Sequence, residues 1–264
     1  MTKRKPGFWL LILLAAVLLG IGVWIALTPT INRIEQQDQA SSEVAAFLQQ
    51  SASPGRRPVA YRSGPSYEPD DPGHDDPAPE QEPPFPELLA AMEAYNAQIY
   101  EDRQAGLADP WCYSASVIDL SEYGFDADAP VGVLTIPKME FEEPVFLGAS
   151  MDHLSRGAAQ LSISSMPIGG VNTNCVLAGH RGWKGALHFR HIELLELGDQ
   201  VILTNLWEEL HYTVAEIKVI QPWQAEQLLI QEGRDLLTLI TCHPYGSGGK
   251  YRYVVVCERN YKEN

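Results

Sequence analysis

The feature that most constrains this chain lies in its first thirty residues. Lys3, Arg4 and Lys5 stand before an uncharged stretch from Pro6 to Asn32. Its apolar heart, Phe8 to Leu27, is 20 residues long, enough to cross ~30 Å of hydrocarbon as a helix. Trp9 and Trp24 stand near its ends, where amphipathic rings suit the membrane interface. The three basic residues predict a cytoplasmic N-terminus, which places everything after the helix outside the cell. A cleaved signal peptide is the alternative. Such peptides usually have a shorter apolar region, roughly 7–15 residues, and Ala26-Leu27-Thr28 makes a poor cleavage site, so we read an anchor. The exterior is acidic. Of 19 Lys and Arg against 34 Asp and Glu, three basic residues belong to the tip, which leaves a net charge of −18 outside. No basic patch is present to bind phosphate, so nucleic acid is excluded as a partner. With 45% hydrophobic and 20% charged residues, the chain is not wholly disordered.

The expected organisation is residues 1–28 as cytoplasmic tip and transmembrane anchor, 29–86 as an extracellular Pro-rich and acidic linker, 87–116 as a helix and loop, and 117–264 as the main domain. The linker is densest from Ser51 to Pro86, which holds 10 prolines with Glu68, Asp70, Asp71, Asp75, Asp76, Glu80 and Glu82. Such a segment cannot bury enough apolar surface to offset its ordering entropy, and proline keeps it extended. A stalk is the plain reading, and binding to a basic cell-surface partner is the rarer one. From Glu87 to Arg103, Leu88, Leu89, Met92, Tyr95 and Ile99 recur at i, i+3/i+4 and predict an amphipathic helix. Asp109-Pro110 then marks a loop.

From Val131 the pattern is β. Val131–Ile136, Pro144–Leu147, Cys175–Ala178, Gln200–Thr204, His211–Ile220, Leu236–Cys242 and Tyr251–Cys257 are rich in Val, Ile, Leu, Thr and Tyr, with turn residues in many of the gaps. Leu187–Leu197 and Gln224–Leu229 fit short helices. Many short strands with few helices predict a mainly β fold, a closed or nearly closed barrel.

Four cysteines, Cys112, Cys175, Cys242 and Cys257, lie in a predicted oxidising compartment, where paired disulfides are the default. Cys242 differs by context. The apolar run Leu236–Thr241 ends at it, and Pro244, Gly246, Gly248 and Gly249 follow, so it sits at a strand end beside a glycine-rich loop, where a thiol is accessible to a substrate. A cysteine nucleophile needs a partner that favours thiolate or shuttles protons. Among seven histidines, His180 in Gly179-His180-Arg181-Gly182 has the same strand-end placement, although an ordinary surface histidine fits as well. His243 adjoins Cys242, but neighbours on an extended chain point opposite ways. His188 and His191 have the i, i+3 spacing of a metal pair, yet no Glu or Cys completes a recognisable site. Acyl transfer also needs a cation or dipoles for the oxyanion. Arg252 would return beside Cys242 if the last two strands form a hairpin. Arg259 is the rival, seven residues further along, and a surface salt bridge is the alternative use for either.

Thr238-Leu239-Ile240-Thr241-Cys242, Pro244-Tyr245-Gly246 and Tyr251-Arg252 together resemble the signature of sortases, membrane-anchored cysteine transpeptidases of Gram-positive surfaces. Gly179–Gly182 resembles the family's histidine segment. Gly132–Pro137 and Pro144–Gly148 resemble its opening strands. The resemblance runs from about Glu87 to Tyr261, in the right order, and is closest to class C, the pilin-type enzymes. It implies a β-barrel of about eight strands and a catalytic trio of Cys242, His180 and Arg252. It also implies a lid in which Asp109 contacts Arg252 and Trp111 covers Cys242. No metal or cofactor is implied. The implied reaction cleaves a Leu-Pro-x-Thr-Gly-like sorting signal of a surface or pilin protein and passes it to an amine, a pilin lysine or a peptidoglycan precursor. His243 stands where the family often has a small polar residue. Cys112, next to Trp111, raises the option of a Cys112–Cys242 disulfide that locks the lid. Two other readings remain, a catalytically silent surface scaffold and a peptidoglycan L,D-transpeptidase. The latter pairs serine and glycine around its cysteine, unlike Thr238–Cys242.

Overall fold

The computed structural model describes residues 6–51, 82–104, 116–182 and 186–261, apart from the side chains of 6–12 and 29. The lid residues Asp109 and Trp111, and with them Cys112, lie outside the described residues.

The first helix, α1 (Pro6–Ser51), is 46 residues long. It is long and apolar enough to cross a membrane. Leu13, Leu14, Val17, Leu18, Leu19 and Trp24 are all exposed on it, a surface suited to lipid rather than water. The helix does not stop at Thr28. Residues 29–50, read from the sequence as the start of the linker, are helical. Between Gly22 and Pro54 only Pro29 breaks the run of helix-compatible residues. Proline lacks the amide that would bond back to Ile25, and next to it the Thr28 hydroxyl donates to the Trp24 carbonyl at 2.7 Å. The distal part of α1 packs on the domain. Val44, Phe47 and Ser51, spaced along one face, are buried. Glu43 pairs with Arg156 at 3.0 Å, and the Arg156 guanidinium lies 4.5 Å above the Phe146 ring.

Helix α2 (Pro86–Glu101) begins with proline in its first turn, where the missing amide costs nothing. It buries Leu88, Met92, Asn96 and Ile99. Asn96 accepts from the Met166 amide at 2.7 Å. Just past the helix, Gln104 donates to the Ile163 carbonyl and accepts from the Ile230 amide.

Among the described residues, eight strands close a barrel: β1 (Gly132–Ile136), β2 (Phe141–Leu147), β3 (Ala158–Gln160), β4 (Thr173–Ala178), β5 (Gln200–Asn205), β6 (Glu209–Ile220), β7 (Asp235–His243) and β8 (Tyr251–Arg259). Their order around the barrel is β1-β2-β3-β4-β7-β8-β6-β5. Seven of these coincide with the strands expected from the sequence. The three-residue β3 and the short helix α3 (Met151–Arg156) are too brief to leave a periodic signal. Two 3-10 turns, His188–Leu194 and Ala225–Leu228, stand where short helices were expected.

Strand β7 is buried on both faces, which explains its continuous apolar run. Leu237 and Leu239 enter the main core with Val255, Cys257, Cys175 and Leu177. Leu236 and Ile240 join a second cluster on the opposite face, with Val176, Ala178, Val254 and Val256. Cys175, Cys242 and Cys257 are free thiols, which corrects the expectation of paired disulfides. Cys175 and Cys257 both stand opposite Leu237, one strand away on either side. Two inter-strand spacings come to about 9.6 Å, beyond the reach of a disulfide.

Candidate functional site

The site follows from strand register. Strands β4 and β7 run parallel, with Ala178 opposite Ile240. Each chain continues by two residues, to His180 and to Cys242. The Gly179 amide donates to the Ile240 carbonyl at 3.1 Å, and the Thr241 hydroxyl donates to the Gly179 carbonyl at 2.7 Å. His180 and Cys242 therefore leave the sheet side by side. Strand β8 runs antiparallel to β7, and Arg252 is the direct partner of Cys242. The hairpin expected from the sequence is present, and the three residues stand on three adjacent strands at one end of the barrel.

They also share a face. Side chains alternate along a strand. Cys242 continues the series Leu236–Thr238–Ile240, His180 continues Val176–Ala178, and Arg252 heads Val254–Val256, all on the side of the second apolar cluster. The site thus sits on the outer face of β4, β7 and β8, clear of the main core.

Two glycines shape it. At Gly179 a Cβ would lie 2.7 Å from the Phe189 ring, so the segment before His180 admits no side chain. Gly249 adopts φ +82, and a Cβ there would lie 3.1 Å from Cys242 Sγ and 3.3 Å from Arg252 Nη1. The glycine loop folds back so that the Gly249 carbonyl bonds Arg252 and a side chain at this position would press on Cys242. Arg252 Nη1 donates to the Gly249 carbonyl at 2.6 Å and to the Tyr251 carbonyl at 3.2 Å, which orients the guanidinium of a residue that is 5% exposed.

Burial sets the protonation states. It pushes the Cys242 thiol above its ordinary value, against the opposing pull of Arg252 and then Arg181. Burial, reinforced by His188, lowers the His180 imidazole from 6.5 to about 4. At neutral pH the resting pair is a thiol beside a neutral imidazole. His188 bonds through Nδ1 to Glu143 at 2.8 Å. The rival Arg259 lies toward the far end of β8, between the Tyr212 and Tyr261 rings, paired with Glu208 at 3.3 Å.

His243 points away from Cys242. Arg181 Nη1 donates to His243 Nδ1 at 2.8 Å, and Glu193 lies 3.2 Å from the same nitrogen. The sequence alone gives Arg181, Glu193, Glu143 and Gly249 no role at this site. Arg181 and Gly249 stood inside the motifs that were singled out. Nothing in sequence spacing tied Glu143 or Glu193 to this end of the barrel, because both arrive through tertiary packing.

The arrangement brings a thiol, a neutral imidazole and a guanidinium together at one end of the barrel. A family model described as a sortase domain matches residues 134–260. Sortase D of Bacillus subtilis is 31% identical over 130 residues, 48% of this chain and 63% of that protein, so the match spans less than two thirds of its length. The solved structure of sortase C-1 from Actinomyces oris is 32% identical, with a TM-score of 0.59, over 67% of this chain and 98% of that one. Clostridium perfringens sortase C, solved with a C-terminal cell wall sorting motif, is 25% identical, with a TM-score of 0.62, over 84% of this chain and 99% of that one.

Proposed function

The chain belongs to the sortase family, and from that premise we propose that it is a membrane-anchored cysteine transpeptidase of the pilin-type class, acting outside the cell on proteins that carry a Leu-Pro-x-Thr-Gly-like sorting signal. The observation that carries this reading is the rung Cys242–Arg252 with His180 emerging beside it from β4.

The steps follow from the protonation states. His180 takes the thiol proton as Cys242 sulfur attacks the threonine carbonyl carbon. An S–C bond forms, and the negative charge on oxygen is met by Arg252. The imidazolium then gives its proton to the departing glycine nitrogen, the C–N bond breaks, and a thioester remains. An incoming amine, from a pilin lysine or a cell-wall precursor, attacks the thioester. Its proton passes to His180 and on to the Cys242 sulfur as the C–S bond breaks, which restores the thiol and the neutral imidazole. Helix α1 holds enzyme and substrate at the same surface, which raises their effective concentration. Asp109 and Trp111, outside the described residues, take the lid role that the resemblance to pilin-type sortases implies: a carboxylate for Arg252 and an indole to keep water from the thiol.

Turnover tests the reading. The full chain in detergent, given a fluorogenic Leu-Pro-x-Thr-Gly peptide and an amine, should cleave the peptide and join it to the amine, faster when Asp109→Ala and Trp111→Ala open the lid. Cys242→Ala, His180→Ala and Arg252→Ala should each lower the rate by about a thousandfold or more. Undiminished turnover in Cys242→Ala would refute the mechanism. Inactivity of the lid-opened enzyme on every sorting peptide would refute the substrate class.

A further inference from the structure

Behind the nucleophile, on the opposite face of the sheet, lies a group of charged side chains that the steps above do not use. Arg181 and His243 each follow a member of the trio by one residue, so alternation turns them to the other side. Tyr253 follows Arg252 in the same way, and the three meet there. The Arg181 guanidinium is 5.8 Å from the Tyr253 ring centre, and the His243 and Tyr253 rings are 5.5 Å apart. Arg181 Nη1 donates to His243 Nδ1 at 2.8 Å and to the Cys242 carbonyl at 3.4 Å. Its Nη2 pairs with Glu193 of the 3-10 turn His188–Leu194. The cation is thus bonded to the backbone of Cys242 itself, and its side chain is buried.

We propose that Arg181, clamped by Glu193 and His243, is a positioning residue that fixes the Cys242 peptide from behind and serves as a second cation for the thiolate, in addition to Arg252. This rests on the reading of Cys242 as the nucleophile.

The balance of charge supports it. The Arg181 side chain is 4% exposed, whereas that of Glu193 is 49% exposed. Water screens the carboxylate more than the guanidinium, so the pair's positive end has the stronger effect at the sulfur. The groups acting on the thiol are Arg252 from β8 and His180 from the end of β4, on its own face, and Arg181 from behind the sheet. Those facing Arg181 are Glu193, His243 and Tyr253. The attraction of Arg181 lowers the thiol value, second to that of Arg252 and against the larger effect of burial. His243 fits as the clamp because a neutral imidazole offers Nδ1 as an acceptor, which a small side chain at this position lacks.

Alkylation of the full chain by iodoacetamide across pH tests the proposal without any sorting peptide. A Cys112→Ser background removes the one cysteine outside the described residues, and a Cys242→Ala control gives the residual rate. Arg181→Met should shift the thiolate titration upward by about one pH unit and slow alkylation at neutral pH about tenfold. Arg181→Lys should recover part of the shift. His243→Ala should shift the titration in the parent but add nothing in Arg181→Met, as expected for one coupled unit. A titration in Arg181→Met that overlays the parent, with only the melting temperature lowered, would reduce Arg181 to a structural strut and overturn the proposal. If Arg181→Met does not fold, an unmoved titration in both Arg181→Lys and His243→Ala overturns it. A parent Cys242 that resists alkylation across the range also overturns it. An Arg181-dependent titration without peptide turnover would sustain this inference while removing the substrate reading.

Discussion

Phe47 ties the long apolar helix α1 to the barrel, and Phe47→Ala measures that tie. The ring is 1% exposed and belongs to the main core, alongside Val44 on the same face of α1. Truncating a buried phenylalanine to alanine costs about 3–5 kcal/mol, through lost transfer energy and the cavity left behind. For a domain of this size each kcal/mol moves the melting temperature by about 2–4 °C. The full chain in detergent micelles, followed by tryptophan fluorescence and near-ultraviolet circular dichroism, should therefore melt about 6–20 °C lower in Phe47→Ala. Leu48→Ala is the control. Leu48 is the adjacent residue, 37% exposed, and its loss should move the transition by no more than about 2 °C. A barrel whose melting is unaltered by Phe47→Ala would refute the reasoning. It would mean that α1 beyond the membrane is a tether and that residues 29–51 add nothing to the core.

Three further predictions concern the site. His180 titrates near 4 in the folded protein and near 6.5 when unfolded, so the unfolded state binds the extra proton first. Stability should then fall as pH drops from 6.5 toward 4, by about 1–2 kcal/mol once solvent screening of the partly buried ring is allowed for. His180→Gln should flatten that window in thermal melts taken at pH 4.5 and 7, and an unchanged slope would contradict the assignment. Gly249→Ala places a Cβ at φ +82 against Cys242 Sγ and Arg252 Nη1. It should cost about 1–2 kcal/mol in stability and slow peptide turnover more than the lost stability explains, as a comparison of rate and melting temperature would reveal. Burial drives the Cys175 and Cys257 thiols far above their ordinary range. In a Cys112→Ser background, Ellman's reagent should therefore find one reactive thiol in the native chain, lost in Cys242→Ala, and three after denaturation. Rapid reaction of a second native thiol would contradict the packing of the core.

Much of this was legible in the sequence, because each strand of the site is bounded by strong signals. The run Leu236–Thr241 is apolar on both faces, and glycine or proline stops it one residue after the nucleophile. The pairing of Cys242 with Arg252 followed from a hairpin that returns the chain to the same rung ten residues on. The face carrying His180 was less visible. Its register depends on the parallel pairing of β4 with β7, two strands separated by 56 residues in the chain, and no local pattern sets such a pairing. The helical extension of α1 was missed for a related reason. Asn32 to Ser51 is polar enough to read as linker, and only the docking of Val44 and Phe47 on the barrel reveals its apolar face. The short β3 and α3 are held by neighbours rather than by propensity. The clamp on Arg181 combines residues from three elements, and its parts acquire meaning only when the sheet brings His243 and the turn at Glu193 together.

The central claim is that Cys242 forms a thioester with the threonine of a sorting signal, and intact-mass analysis tests it most directly. The full chain carrying Asp109→Ala and Trp111→Ala, mixed with a Leu-Pro-x-Thr-Gly peptide and quenched in acid, should gain the mass of the peptide up to its threonine. The adduct should map to Cys242, disappear when an amine is added, and be absent from Cys242→Ala. A folded protein with a free Cys242 thiol and no adduct across a panel of sorting peptides would contradict the account, as would an adduct that persists in Cys242→Ala.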